Sequence, residues 1–164
     1  MNTAKAEPTA VDTGVPAQVV AEHIRWLRTE EGEPTTPLHL VKLVYIAHGW
    51  TLGLYGEPLI REAVEAWKYG PVIPAVYHRY KPFGGFHINL PTKSRKGDMS
   101  EDHQELVDLV EQGYRRFTAV QLSAMTHQEG SPWDITVKKH GLTNAVIPTS
   151  LIREHYSSML PSSK

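Results

Sequence analysis

Between Glu65 and Gly85 the chain reads EAWKYGPVIPAVYHRYKPFGG, and no continuous helix passes through it. Prolines at 71, 74 and 82 and glycines at 70, 84 and 85 interrupt any 3.6-residue repeat, because proline removes a backbone donor and glycine loosens the chain. Val64 to Tyr69 alternates as a short half-buried strand does, and Gly70-Pro71 stops it, since proline offers no N–H to a ladder. Pro74 then suits the first turn of a helix, where its missing donor costs nothing. Ala75, Val76, Tyr77 and Tyr80 carry that helix to Pro82 and Gly84-Gly85. The result is a strand-to-helix corner bearing Trp67, Tyr69, Tyr77 and Tyr80. Rings of this size ordinarily plug a core; the alternative is that the corner forms part of a partner-binding surface.

The rest of the chain reads as helices with recognisable ends. Pro16 opens a segment in which Val20, Ile24 and Leu27 recur at helical spacing until Gly32 and Pro34 break it. Thr36-Pro37 opens the next, Leu38 to Gly56, whose circumference is apolar nearly all round, as in a buried central helix. Gly49 and Gly53 lie four apart on one of its faces. Each costs about 1 kcal/mol against alanine, a loss offset where a second element crosses closely. Asp98 and Glu101 have capping-box spacing ahead of Leu106, Leu109 and Val110. Thr118 with Gln121, and Ser131 with Asp134, mark two further helix starts, and a last helix opens at Pro148 or Thr149. Asn144 to Ile147 is a candidate strand partner for the one at Val64. These elements predict a mainly α fold with a small β element (α+β): six to seven helices around a buried central one, with one short strand pair or hairpin. Residues 1–14 are expected to be a disordered tail, and 15–160 a single globular domain of a size that buries roughly two-thirds of its unfolded surface.

Composition narrows the function. Seventeen basic against eighteen acidic residues give a formal net charge of −1, without the electrostatic footprint of a non-specific nucleic-acid binder. The basic cluster Lys93, Arg95, Lys96 reads as solvated loop charge. Cysteine is absent, so no disulfide framework, thiolate nucleophile or cysteine zinc site is available. Neither a signal peptide nor a membrane span is expected, which points to the cytoplasm.

Nine histidines raise the question of catalysis or metal binding, but they are scattered. None forms an H-E-x-x-H motif or an i, i+4 pair. Ser123 and His127 have helical i, i+4 spacing, yet a Ser/His pair without an orienting carboxylate reads as structural. An enzyme would otherwise draw on Tyr77 and His78. His48 and His127 read as histidines that bond neighbouring backbone or side chains. No cofactor, metal or catalytic residue is expected.

Three ordered blocks carry a resemblance. The first places Lys42, Leu43, Tyr45, Ala47 and His48 on the central helix, followed by Gly56, Pro58 and Leu59. The second places Trp67, Gly70, Pro71, Val72, Val76 and Tyr77 in the corner. The third holds Leu122, Ser123, Thr126, His127, Ser131, Pro132 and Trp133. In these the chain resembles the Panacea-domain antitoxin family, which includes SocA-like proteolytic adaptor antitoxins and phage-associated proteins. The resemblance implies an antitoxin of a toxin–antitoxin system that neutralises a cognate toxin by direct binding, or delivers it to a Clp-type protease. Lys42, Tyr45, His48, Gly70, Thr126, His127 and Trp133 are the motif positions. No helix-turn-helix accompanies them, which argues against regulation of its own operon. The expected contact surface is Trp67, Tyr69, Pro71, Tyr77, Tyr80 and Phe83, since aromatic residues supply much interface free energy at low entropic cost.

Overall fold

A computed structural model describes residues 14–161. The expected tail lies outside them except for Gly14, which is buried and whose carbonyl accepts from Arg61 Nε at 3.2 Å. Among the described residues there are seven α-helices and one hairpin: α1 (Ala17–Glu30), α2 (Pro37–Tyr55), β1 (Glu65–Trp67), β2 (Gly70–Val72), α3 (Pro74–Tyr80), α4 (Glu101–Tyr114), α5 (Ala119–Thr126), α6 (Pro132–His140) and α7 (Thr149–Ser158). The fold is mainly α with a small β element, as the sequence predicts.

α2 is the axis of the molecule. Fourteen of its nineteen residues are buried, and it packs against α1, α3, α4, α5, α7 and β2. Thr36 caps its start by accepting from His39 N, with Pro37 at the first helical position. The Gly49/Gly53 face is where α7 crosses. A Cβ on Gly49 would run into the Tyr156 ring, and one on Gly53 would lie 2.7 Å from Tyr156 Cβ and 2.9 Å from Ser157 N. The two glycines therefore set the distance between the central helix and the last one.

Three local readings are refined by the structure. Thr118 and Gln121 form a complete capping box on α5. The start of α4 is capped differently from the sequence reading: Ser100, not Asp98, accepts from His103 N. Asp98 instead sits in a 3₁₀ turn (Lys96–Asp98) and bonds Arg95 at 2.6 Å. The short hydroxyl at the residue adjoining the helix reaches an orphan amide, while the carboxylate is held by a stronger charged partner. Pro71 does not end the β structure; the chain reverses at Lys68-Tyr69 and Pro71 lies within β2, opposite Ala66. The ladder tolerates it because the hairpin has only two strands, and the missing donor falls where no third strand pairs. On the other side of β1 the 144–147 segment does pair, with Ala66 N donating to Ala145 O and Ile147 N to Val64 O, both at 2.8 Å.

One charged cluster lies deep in the core. Arg28 of α1 and Glu111 of α4 are each only 1% exposed and face one another at 3.8 Å. Arg28 also donates to Thr35 Oγ1 and Pro34 O, both at 2.8 Å. Glu111 is held from its other side by Arg115 Nε at 2.9 Å. Arg95 is likewise neutralised, by Glu22 at 2.7 Å and by Asp98, so the basic loop at 93–96 is partly paired charge. No helix among the described residues is long and apolar enough to cross a membrane.

Candidate functional site: a clamped hairpin beside an apolar groove

One residue from the first block and two from the third converge on the β1–β2 hairpin of the second. Lys42 projects from buried α2, is itself fully buried, and donates to Tyr69 O and Pro71 O, both at 3.0 Å. Ser123 Oγ of α5 donates to the same Tyr69 carbonyl at 2.9 Å. Trp133 Nε1 of α6 donates to Trp67 O at 2.6 Å. Three helices thus satisfy the carbonyls of a turn that has little regular pairing of its own. Neither Lys68 nor Tyr69 takes a positive φ, so the left-handed residue of the reversal is Gly70, at φ 117°. Gly70 is required twice over, because a Cβ there would also lie 2.6 Å from Lys42 Nζ.

The other motif residues make structural contacts of their own. His48 Nδ1 accepts from Leu59 N and Ile60 N at 3.3 and 3.4 Å, and burial pushes its pKa down to about 4. Tyr45 is buried edge-on to Tyr156, and desolvation raises its hydroxyl well above the ordinary phenol range. Thr126 Oγ1 donates back to Leu122 O and Ser123 O within α5. His127 is half-buried and packs edge-on against Trp133 with ring centroids 5.2 Å apart. Its Nδ1 has no hydrogen-bond partner. Of the two histidines expected to bond a neighbour, His48 does so and His127 Nδ1 does not, while Ser123 spends its proton on the hairpin.

Burial of Lys42 has a consequence for stability. Desolvation lowers its pKa to about 7, although the two carbonyl acceptors favour the ammonium and oppose that shift. The unfolded chain, with an ordinary lysine, binds more protons than the native state between that value and about 10.4, so stability rises with pH across that window. Urea unfolding is expected to show a gain on the order of 1–2 kcal/mol from pH 7 to pH 9, and this slope should vanish in Lys42→Met. An unchanged slope in the variant would assign the gain elsewhere. Above this range the raised Tyr45 and Tyr156 hydroxyls reverse the trend, because the unfolded phenols ionise first.

Beside the clamp runs an open groove of about 410 Å³ between α2, the hairpin and the end of α3. Leu38, Val41 and Val72 give it an apolar surface together with Trp67, Tyr69 and Tyr77, while Lys68 and Lys81 stand exposed at its edge. Trp67 and Tyr77 meet edge-to-face at 5.1 Å, and the Trp67 indole is fixed by donating to Glu65 Oε1 at 2.8 Å. Tyr69 is 66% exposed. Of the six residues expected at a contact surface, Trp67, Tyr69 and Tyr77 line the groove. Phe83 is half-buried in the 3₁₀ turn that follows α3 (Lys81–Phe83). Pro71 is buried inside β2, and Tyr80 is 1% exposed with its hydroxyl accepting from Gln18 Nε2 at 2.6 Å. Tyr80 points inward because the helix turns it onto α1, so it belongs to the core. The residues that sequence reasoning missed are Leu38, Val41, Val72, Lys68 and Lys81. Leu38 and Val41 read there only as part of the buried central helix and Val72 only as a block position, and neither lysine carries a signal of its own.

Residues 40–134, which take in most of α2, the hairpin and the start of α6, match the sequence profile described as Antitoxin SocA-like, Panacea domain. The chain belongs to this family. It is also similar to antitoxin SocA of Caulobacter vibrioides (strain NA1000 / CB15N), with 32% identity over 150 residues, covering 82% of this chain and 75% of that protein. No solved structure matches. Every residue of the hairpin clamp lies inside the Panacea segment, from Lys42 to Trp133. α7, which closes the core against α2, lies beyond it.

Proposed function

We propose that this protein is the antitoxin of a toxin–antitoxin system, acting in the cytoplasm, and that it neutralises its toxin by direct protein–protein binding without catalysing a reaction. The observation that carries this reading is the groove: an open, aromatic-lined surface held on a rigid hairpin, in a member of an antitoxin family. Rigid rings at a surface contribute binding free energy without a large ordering cost. Of the residues that a catalytic reading would use, Ser123 donates its proton to the Tyr69 carbonyl of the hairpin.

Co-expression with the product of the adjacent gene tests this. The wild-type chain should restore growth and co-purify with that product. Tyr69→Ala, at an exposed side chain, should weaken the complex at least tenfold with little change in thermal stability, as expected of an aromatic contact residue. His127→Ala should still neutralise. Loss of neutralisation in a folded, toxin-binding His127→Ala protein would favour chemistry instead. Toxin half-life separates masking from delivery to a Clp-type protease: masking leaves it unchanged or longer, and delivery shortens it.

A further inference from the structure

The groove also carries information about what enters it. Its surface is apolar, no carboxylate lines it, and the two exposed charges at its edge, Lys68 and Lys81, are both cationic. Among the described residues neither lysine takes part in an ion pair. Lys68 Nζ instead lies 5.4 Å over the Tyr69 ring. In a chain of net charge −1 this is a local field and not a property of the whole surface. A volume of about 410 Å³ suits one or two bulky side chains; it is at the small end of the roughly 300–1,000 Å³ typical of ligand pockets.

The backbone edge beside the groove is closed to a pairing strand. The Tyr69 and Pro71 carbonyls on the free side of β2 are taken by Lys42, and Pro71 has no N–H to offer. Addition of a partner strand, which needs a row of free donors and acceptors, is therefore excluded at this edge. Recognition must proceed through side chains.

Resting on the reading above, we propose that this groove is an anchor pocket for an acidic segment of the partner, which inserts a bulky apolar side chain between Val41, Val72, Trp67 and Tyr77 and places Asp or Glu against Lys68 and Lys81. Apolar burial supplies the affinity, and the two lysines select partners by charge and speed encounter.

The test uses the full chain and two synthetic ten-residue peptides, each with a central Leu-Phe pair, one flanked by aspartates and the other by lysines. In ¹⁵N-resolved NMR titrations the aspartate peptide should shift the Trp67 indole and the amides of residues 68–72, excluding proline, and bind at least tenfold more tightly than the lysine peptide. Lys68→Glu/Lys81→Glu, which breaks no internal ion pair, should reverse that preference. Absence of binding by the aspartate peptide, equal affinity for both peptides, shifts mapping elsewhere, or indifference to charge reversal each overturns the proposal. The same double variant in the co-expression assay separates the two readings. Full neutralisation by the variant removes the anchor pocket and leaves the antitoxin, whereas failure of the wild type to neutralise removes the antitoxin and leaves the peptide result to decide the pocket.

Discussion

Glu111→Gln is expected to cost about 3 kcal/mol of folding stability, a large share of the roughly 5–15 kcal/mol typical of a domain. Arg28 and Glu111 are both 1% exposed. Burial depresses the Arg28 pKa, and the Glu111 carboxylate is the foremost charge opposing that depression. Neutralising Glu111 leaves a guanidinium in the core with only Thr35 Oγ1 and the Pro34 carbonyl as close acceptors. Arg115 fares better, because it keeps Glu31 at 3.3 Å and is partly exposed. A buried charge stripped of its partner is penalised far more than a pair replaced as a unit. Arg28→Met/Glu111→Leu should therefore recover much of what Glu111→Gln loses. Urea unfolding followed by circular dichroism measures both. A loss under 1 kcal/mol for Glu111→Gln would mean that Arg115 and solvent, and not Arg28, define the environment of this carboxylate.

The second large effect is expected where α7 crosses α2. Alanine in place of glycine raises helix propensity by about 1 kcal/mol per site, so Gly49→Ala and Gly53→Ala would stabilise α2 if space were available. It is not available. At Gly49 the new methyl meets the Tyr156 ring, which is itself packed edge-to-face on Trp50 at 5.1 Å. At Gly53 it meets the α7 backbone, with Tyr156 C and Ser157 N both at 2.9 Å. A side chain can rotate away, whereas a helix backbone must move as a body, so Gly53→Ala should be the worse of the two. Overpacking of this kind costs about 1–3 kcal/mol per site, occasionally more. Against the propensity gain we expect a net loss of about 2 kcal/mol for Gly53→Ala and less for Gly49→Ala. Tyr156→Leu should soften Gly49→Ala more than Gly53→Ala in a double-mutant cycle. Equal coupling at both positions would refute this division between ring and backbone.

The close crossing shows how far the sequence could be read. Gly49 and Gly53 sit in a segment apolar on every side, and two glycines four apart in such a helix have few physical explanations besides a near neighbour. The caps at Thr36, Thr118 and Ser131 were equally legible, since each depends on residues three apart. The start of α4 was misread because Asp98 and Ser100 both offer a cap, and only the pairing of Asp98 with Arg95 decides between them. Pro71 was misread because its effect depends on which side of the strand is free. The clamp was visible only as three motif blocks: nothing local to Lys42, Ser123 or Trp133 says that their donors meet on one turn. The Arg28–Glu111 pair was missed for the same reason. Its members are eighty-odd positions apart, and an arginine on an amphipathic helix is usually solvated.

The origins of the clamp imply an order of assembly during synthesis. The hairpin emerges long before Ser123 and Trp133, and until those residues arrive its Trp67 carbonyl must rely on water. A half-made chain therefore lacks the finished groove, however well α1 and α2 have already formed. The proposed contact face is complete only once α6 has joined the hairpin, so chains that end before Trp133 should bind the proposed partner poorly.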